Sequence, residues 1–259
     1  MGWFFTGAKM RRYWVSENYF EDDIVNLEGD SLHHIRDVCR QGLGSRFEIL
    51  NEKGMAYFVE VVEESKRRAK AKILETRQVP PLKRPHIHIA LSLPRYAKMD
   101  FIIEKSVELG VKSIQPLVSD FSFVKKLSEV SNNKKERWKK ISLSAMQQSG
   151  RCEPFVVSEP ISLENFLSQF NQNKQQLGLF FYEGESPTPV KEYLQSHINS
   201  EVQDIWVFIG SEGGFSDQER KLIDASGVPP LTLGPQILRV ETACVVAAAV
   251  IKYEVFNEF

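Results

Sequence analysis

Apolar and polar positions alternate with a period of two along the first third of the chain. SRFEIL (residues 45–50) and MAYFVEVV (55–62) carry this pattern in β-forming residues, and the NEKG between them predicts a hairpin turn with Gly54 at positive φ. Asp30 and Ser31 are cap residues and predict one short helix, running through LHHIRDVCR to Gly42. Adjacent histidines on a helix point to different faces, so one of His33 and His34 is expected to be packed and the other free. A small β-barrel over residues 1–76 follows. TRQVPPLKRP, whose three prolines each lack an amide donor, predicts a linker with the domain boundary near residue 80.

Beyond the linker the period changes. Strands are expected at HIHIALSL, SIQPLVS, PFVVS, LGLFFY, DIWVFIG and PLTLG. Between and after them fall helices at KMDFIIEKSVELG and NKKERWKKISLSAMQQSG, stopped by Gly110 and Gly150, and around 162–170, 188–198, 216–225 and 239–256. Repeated strand and helix units predict an α/β fold over residues 80–259, with a mainly parallel sheet covered on both faces. The last helix, ETACVVAAAVIKYEVF, is apolar nearly all the way round, which predicts burial on several sides, within the domain or against a second subunit.

The net charge of −1 conceals a strong asymmetry. Residues 76–155 carry fifteen basic and seven acidic side chains, whereas residues 156–259 carry six and fourteen. A basic middle third suits a surface that holds phosphates, although solvated helix faces produce the same count. Cys39, Cys152 and Cys244 are odd in number and widely spaced, which argues against a disulfide framework. The five histidines form no zinc-ligand spacing with them, so no metal is expected. The basic residues of MGWFFTGAKMRRYW follow the apolar ones, the reverse of a secretory signal, and no apolar run reaches membrane-spanning length. A soluble, cytoplasmic protein is expected.

Two segments carry candidate chemistry. In WVFIGSEGGFSDQE a buried strand runs into Gly210, Gly213 and Gly214 and then into a helix with a Ser216/Glu219 capping box. Glycines at a strand end let backbone amides approach a ligand, and the spacing fits neither a dinucleotide site nor a P-loop. About twenty residues later PLTLGPQILRVETA repeats the strand, loop and helix order, placing Arg239 at a helix start where the dipole disfavours a cation.

With HHIRDVCR, KMDFIIEKSVELGVKSIQPLVSDFS and SAMQQSGR, in that order, GSEGGFS and LGPQILRVETA resemble the RsmE family of 16S ribosomal RNA uridine-N3 methyltransferases, of the SPOUT superfamily. The resemblance implies a PUA-like β-barrel for RNA followed by a SPOUT domain whose C-terminal trefoil knot binds S-adenosyl-L-methionine (SAM), with a homodimer completing the site. It implies a cofactor pocket from Phe181, Tyr182 and Glu183, from Ile209, Gly210, Ser211, Glu212, Gly213 and Gly214, and from Leu233, Gly234, Ile237, Leu238, Thr242 and Ala243. Arg239 is the candidate for stabilising charge on the uracil, and Glu212 for accepting its proton. Candidate RNA contacts are Arg11, Arg12, His34, Arg36 and Arg40 in the first domain, and Arg95, Lys98 and Arg151 in the basic segment. Tyr13 or Trp14 could stack on a base, though an aromatic in a small barrel is more often core. The chain departs from the common family pattern at Ser211, Gln147 and Gln236, where proline, glutamate and arginine are frequent. The expected partner is 16S ribosomal RNA or the small ribosomal subunit. A non-catalytic RNA-binding module is the competing reading, as is a SPOUT enzyme methylating ribose 2′-OH. The latter group usually has an early asparagine-plus-arginine motif, which this chain lacks.

Overall fold

The alternating first third forms one six-stranded sheet. In the computed structural model, which describes residues 11–170, 175–182 and 188–256, its strands are β1 (Arg12–Trp14), β2 (Phe20–Glu21), β3 (Ile24–Glu28), β4 (Arg46–Leu50), β5 (Met55–Glu64) and β6 (Arg68–Gln78). Their order is β1-β4-β5-β6-β3-β2, antiparallel except for the β1/β4 pair. Alternate residues of the strands, including Tyr13, Val25, Leu27, Phe47, Ile49, Val59 and Val61, share a single buried core. Because β1 and β3 stand far apart along the sheet yet meet in that core, the sheet curls. Register shifts at Phe58/Val59 and Val61/Glu63 on β5 supply local bending. Residues 146–154 group with this unit: Cys152 packs with Leu50 and Ala56, and its thiol lies 3.6 Å from the Met55 carbonyl.

The helix of this unit differs from expectation. Helix α1 (Gly29–Leu32) has Glu28 at its N-cap and continues as a wider π-helical turn over His33–Val38, with the Cys39 amide donating to the His34 carbonyl at 3.0 Å. Arg40, at φ 58°, lies just beyond the turn, ahead of Gly42. Leu32 and Ile35 point into the core; both His33 and His34 stay exposed, His34 with its ring edge-on to the core Tyr13 at 5.9 Å and His33 with Nδ1 2.7 Å from Asp37. Tyr13 is a core residue, its ring edge-on to Phe47 at 5.0 Å, and burial raises its phenol pKa to about 12.

Glu48 on β4 is buried on the other side of the sheet. Arg12 Nε donates to Oε2 at 2.7 Å and Arg77 Nε to Oε1 at 3.0 Å, so one carboxylate closes two guanidinium groups.

The second unit, residues 82–145 and 155–256, is built on a parallel sheet. Its strands are β7 (His86–Ser92), β8 (Ser113–Val118), β9 (Val156–Val157), β10 (Ile161–Ser162), β11 (Gln176–Phe181), β12 (Thr188–Pro189), β13 (Asp204–Ile209) and β14 (Pro230–Thr232). The order is β10-β8-β7-β13-β11-β14-β12, with β9 also on β8, and every pair is parallel. The helices are α2 (Tyr96–Glu108), α3 (Asn132–Ser149, of which residues 146–149 group with the first unit), α4 (Leu163–Phe170), α5 (Val190–His197), α6 (Asp217–Ala225) and α7 (Val240–Phe256). Phe208 of β13 and Phe180 of β11 pack with Phe166 and Phe170 of α4 and Ile223 of α6. Ile205, Val207 and Ile209 alternate to the other face, where α7 lies on β13 and packs against α2 and α5. Val240, Cys244, Ala247, Ala248 and Ile251 of α7 are buried there. Thr242 is exposed, and Val246 and Ala249 are half-buried.

Replacing Glu48 with Ala leaves two guanidinium groups facing each other without their acceptor. Both are about a third open to water, so the expected loss is about 2–3 kcal/mol, below the cost of breaking a fully buried pair. Urea unfolding should show the lowered midpoint, with Glu48→Gln intermediate.

Candidate active site

The sheet order decides where the two glycine loops meet. β13, β11 and β14 are adjacent and parallel, so the chain leaves all three at the same edge, after Ile209, Phe181 and Thr232. Open α/β sheets place their sites at such carboxyl ends. A cavity of about 790 Å³ lies there, lined by Phe180–Tyr182, Ile209–Phe215, Thr232–Val240, Ala243 and Lys98.

The first loop is a tight turn. The Gly214 amide donates to the Ser211 carbonyl at 3.0 Å, and a Cβ at Gly210 would stand 2.6 Å from the Gly214 Cα. Only glycine at 210 permits this approach. Helix α6 starts immediately afterwards with the capping box read from the sequence, Ser216 and Glu219 exchanging side-chain and backbone hydrogen bonds. Glu219, itself buried, also accepts from the Asp120 amide at 2.8 Å, and Ser216 Oγ lies 2.6 Å from Asp120 Oδ2. Ser211 Oγ donates to the Phe121 carbonyl at 2.6 Å. The serine that departs from the family pattern therefore ties the loop to the turn after β8.

Charge in the cavity is organised by Lys98 of α2. Its Nζ lies 3.4 Å from Glu212 in the first loop and 3.2 Å from Glu241 at the start of α7. Glu212 also accepts from the Arg95 amide at 3.3 Å. Burial opposes ionisation of Glu241, but its own backbone amide and Lys98 hold its pKa below the usual carboxylate range. Arg239 lines the same cavity and is exposed; its carbonyl accepts from the Ala243 amide at 2.8 Å, and its charge helps to keep Glu241 ionised. Tyr182 is fixed on the wall by Arg220 of α6, whose guanidinium sits 4.2 Å from the ring centroid and donates to the hydroxyl.

Most of the pocket residues anticipated from the sequence are thus brought together. Glu183 lies outside the described residues. At 100° per residue the start of α7 turns Arg239, Val240 and Ala243 to the cavity, while Thr242 is exposed and is not among the lining residues. Lys98, expected to meet RNA, lines the cavity and bridges Glu212 on its wall to Glu241 at the start of α7. Phe180 and Arg220 were not anticipated. Their contacts join segments with no local spacing signal.

The other expected RNA cations separate by pairing. Arg151 is 8% exposed and donates to the Glu153 and Pro154 carbonyls, so its guanidinium is turned into its own loop. Arg36 is bound by Asp37 and the Ser65 and Lys66 carbonyls, and Arg12 by Glu48. Arg11 is exposed and donates to the Cys39 carbonyl. His34, Arg40 and Arg95 remain exposed.

Among the described residues His86, His88 and Asp204 bring potential metal-ligand atoms within 4.8 Å of one another, at the opposite strand ends from the cavity. His88 Nε2 lies 3.0 Å from Asp204 and Nδ1 2.7 Å from Ser113 Oγ, and Trp206 stacks on its ring at 4.5 Å. Burial lowers the His88 pKa. The thiols of Cys39, Cys152 and Cys244 are all free. No helix among the described residues is long and apolar enough to cross a membrane.

Comparison with known proteins agrees with this architecture. Residues 81–252 match a family described as an RNA methyltransferase domain, and residues 27–74 one described as an RNA methyltransferase PUA domain. The ribosomal RNA small subunit methyltransferase E of Buchnera aphidicola (Acyrthosiphon pisum strain) is 31% identical over 98% of this chain and 99% of its own. That of Aquifex aeolicus is 31% identical over 86% and 91%. Among solved structures, the Neisseria gonorrhoeae enzyme of that name, bound to S-adenosyl methionine, superposes with a TM-score of 0.79 at 28% identity, covering 94% and 97% of the two chains. A methyltransferase of Legionella pneumophila in complex with SAM gives 0.81 at 27% identity, covering 95% and 98%. The α/β class and the PUA-like domain expected from the sequence are both found, and the chain belongs to the ribosomal RNA small subunit methyltransferase E family of RNA methyltransferases.

Proposed function

We propose that this protein transfers the methyl group of SAM to N3 of a uridine in 16S ribosomal RNA. The observation that carries the reading is the joint cavity of the two glycine loops at the ends of β13, β11 and β14. The relatives named for small-subunit ribosomal RNA, and the two solved structures holding SAM, support it.

The residues present fit that ligand. A cavity of about 790 Å³ is within the usual range for a molecule of this size. Ile209, Leu233, Leu238 and the 78%-exposed Ile237 offer apolar surface to an adenine. The close turn at Gly210–Gly214 brings backbone to the ligand, and Glu212 and Glu241 favour a cation. When bound, SAM supplies a sulfonium methyl for in-line attack by a nucleophile. Such a displacement requires neither Lewis acid nor redox chemistry, so the reading assigns no metal to it.

The chain's own part is positioning, charge stabilisation and proton removal. Loss of the N3 proton spreads negative charge onto the uracil carbonyl oxygens. Arg239 faces that need: its exposed cation stands at the positive end of α7, where a further anion is favoured beyond the nearby Glu241. Glu212, held against the cavity wall by Lys98 and the Arg95 amide, is the proton acceptor. N3 lies on the Watson–Crick edge, so a paired uridine must first be exposed, at about a few kcal/mol. His34 and Arg40 of the PUA-like unit and Arg95 of the catalytic unit hold the RNA. The loops over 210–216 and 233–239 form the knot expected of the superfamily. The face of α7 bearing Thr242, Val246 and Ala249 pairs with a second copy, and the protein works in the cytoplasm.

Gly210→Ala should fold, by far-UV circular dichroism, yet bind SAM at least tenfold more weakly in calorimetry, because its Cβ displaces the Gly214 backbone. Arg239→Ala should keep SAM affinity within about threefold and slow single-turnover transfer by about a hundredfold; an unchanged rate dismisses the role. The purified chain should sediment as a dimer and Val246→Glu as a monomer.

A further inference from the structure

The turn after β8 presents an aromatic ring beside the cavity that the reaction outlined above does not use. Phe121 is 49% exposed. Its exposure is built in, because the backbone around it is pinned from three directions. Ser122 is buried, with its hydroxyl donating to the Ser119 carbonyl at 2.8 Å while accepting from the Ser119 amide at 3.1 Å. Asp120 is tied to Ser216 and Glu219 at the start of α6. The Phe121 carbonyl accepts from Ser211.

The ring also belongs to the rim of the cavity. A Cβ placed on Gly213 would stand 2.9 Å from the Phe121 Cβ, so the side chain rests directly on the glycine loop whose residues line the pocket. Arg95 reaches the same loop through its backbone amide, which donates to the Glu212 carboxylate, and its exposed guanidinium has no hydrogen bond or ion pair among the described residues. The aromatic surface continues at Phe123, 52% exposed, which meets Tyr96 edge-on at 5.6 Å, and Lys134 Nζ lies 4.5 Å from the Tyr96 ring centroid. Lys126 is exposed on the same turn.

We infer that Phe121 and Arg95 form a nucleotide-binding contact of the catalytic unit, in which the Phe121 ring stacks on a base of the substrate RNA and Arg95 takes an adjacent phosphate. Aromatic faces interleaved with cations are the usual means of holding unstacked nucleotides, since every base offers a π face and every linkage a charge. The fifteen basic against seven acidic residues of positions 76–155 favour this occupant over a protein surface. The rim position supplies what N3 chemistry needs: a base lifted from its helix is held beside the loop that faces the methyl donor. The inference rests on the RNA methyltransferase reading and adds to it a contact outside the donor pocket.

The test compares wild type with Phe121→Ala, Phe121→Trp and Arg95→Ala. Four quantities are read: affinity for unmodified small-subunit RNA by fluorescence anisotropy, KM for that RNA with tritiated SAM, affinity for S-adenosylhomocysteine, and sedimentation mass. Phe121→Ala should weaken RNA binding and raise KM about tenfold. Phe121→Trp should restore both, and Arg95→Ala should weaken binding mainly at low salt. S-adenosylhomocysteine affinity and mass should stay at wild-type values in all three. RNA affinity unchanged in Phe121→Ala overturns the assignment. So does a fall in sedimentation mass, which would make the surface a subunit contact, or a loss of S-adenosylhomocysteine affinity, which would make the ring part of the pocket wall. If wild type binds RNA but transfers no label, the methyltransferase reading fails, and the anisotropy of the Phe121 pair still decides the stacking contact.

Discussion

Everything at the functional edge of this molecule depends on how closely two pieces of backbone approach between Gly210 and Gly214. There is no room for a β-carbon at the first position, and that shortage fixes the turn between β13 and α6. The turn in turn carries Glu212 to Lys98, Ser211 to Phe121 and Ser216 to Asp120. A single steric constraint thereby aligns one wall of the cavity, the start of a helix and the rim outside it. The parallel sheet supplies the rest, because adjacent parallel strands must release their chains at a common edge.

Much of this was legible in the sequence where the signal is local. Period-two alternation marked β4 and β5, the change of period marked the parallel unit, and Ser216 with Glu219 marked the start of α6 to the residue. The two glycine loops stood out because each joins a strand to a helix. The short helix at Asp30 is present but widens after Leu32, a change of pitch that nothing in HHIRDV announces. Thr242 stands off the cavity wall for a related reason: a motif names a run of residues, while a helix presents only some of them to one side.

Charge was the least transparent property. Counting basic residues marked a region, but it could not separate a cation consumed by structure from one left available. Arg12 is committed to Glu48, Arg36 to its neighbouring loop and Arg151 to the carbonyls beside it, whereas Arg40 and Arg95 lie open on the surface. Desolvation drives this division, because a guanidinium that loses water must find acceptors nearby. The pairing of Tyr182 with Arg220 has the same character, joining residues 38 apart that share no pattern.

The Lys98 bridge has a consequence for turnover. One ammonium sits between two carboxylates, and Arg239, which lines the same cavity and interacts electrostatically with Glu241, brings these four side chains to charge balance. A sulfonium-bearing donor seated beside Glu212 answers a carboxylate, whereas the thioether left after transfer has lost that charge. The carboxylate that meets the fresh donor therefore holds the spent one less tightly.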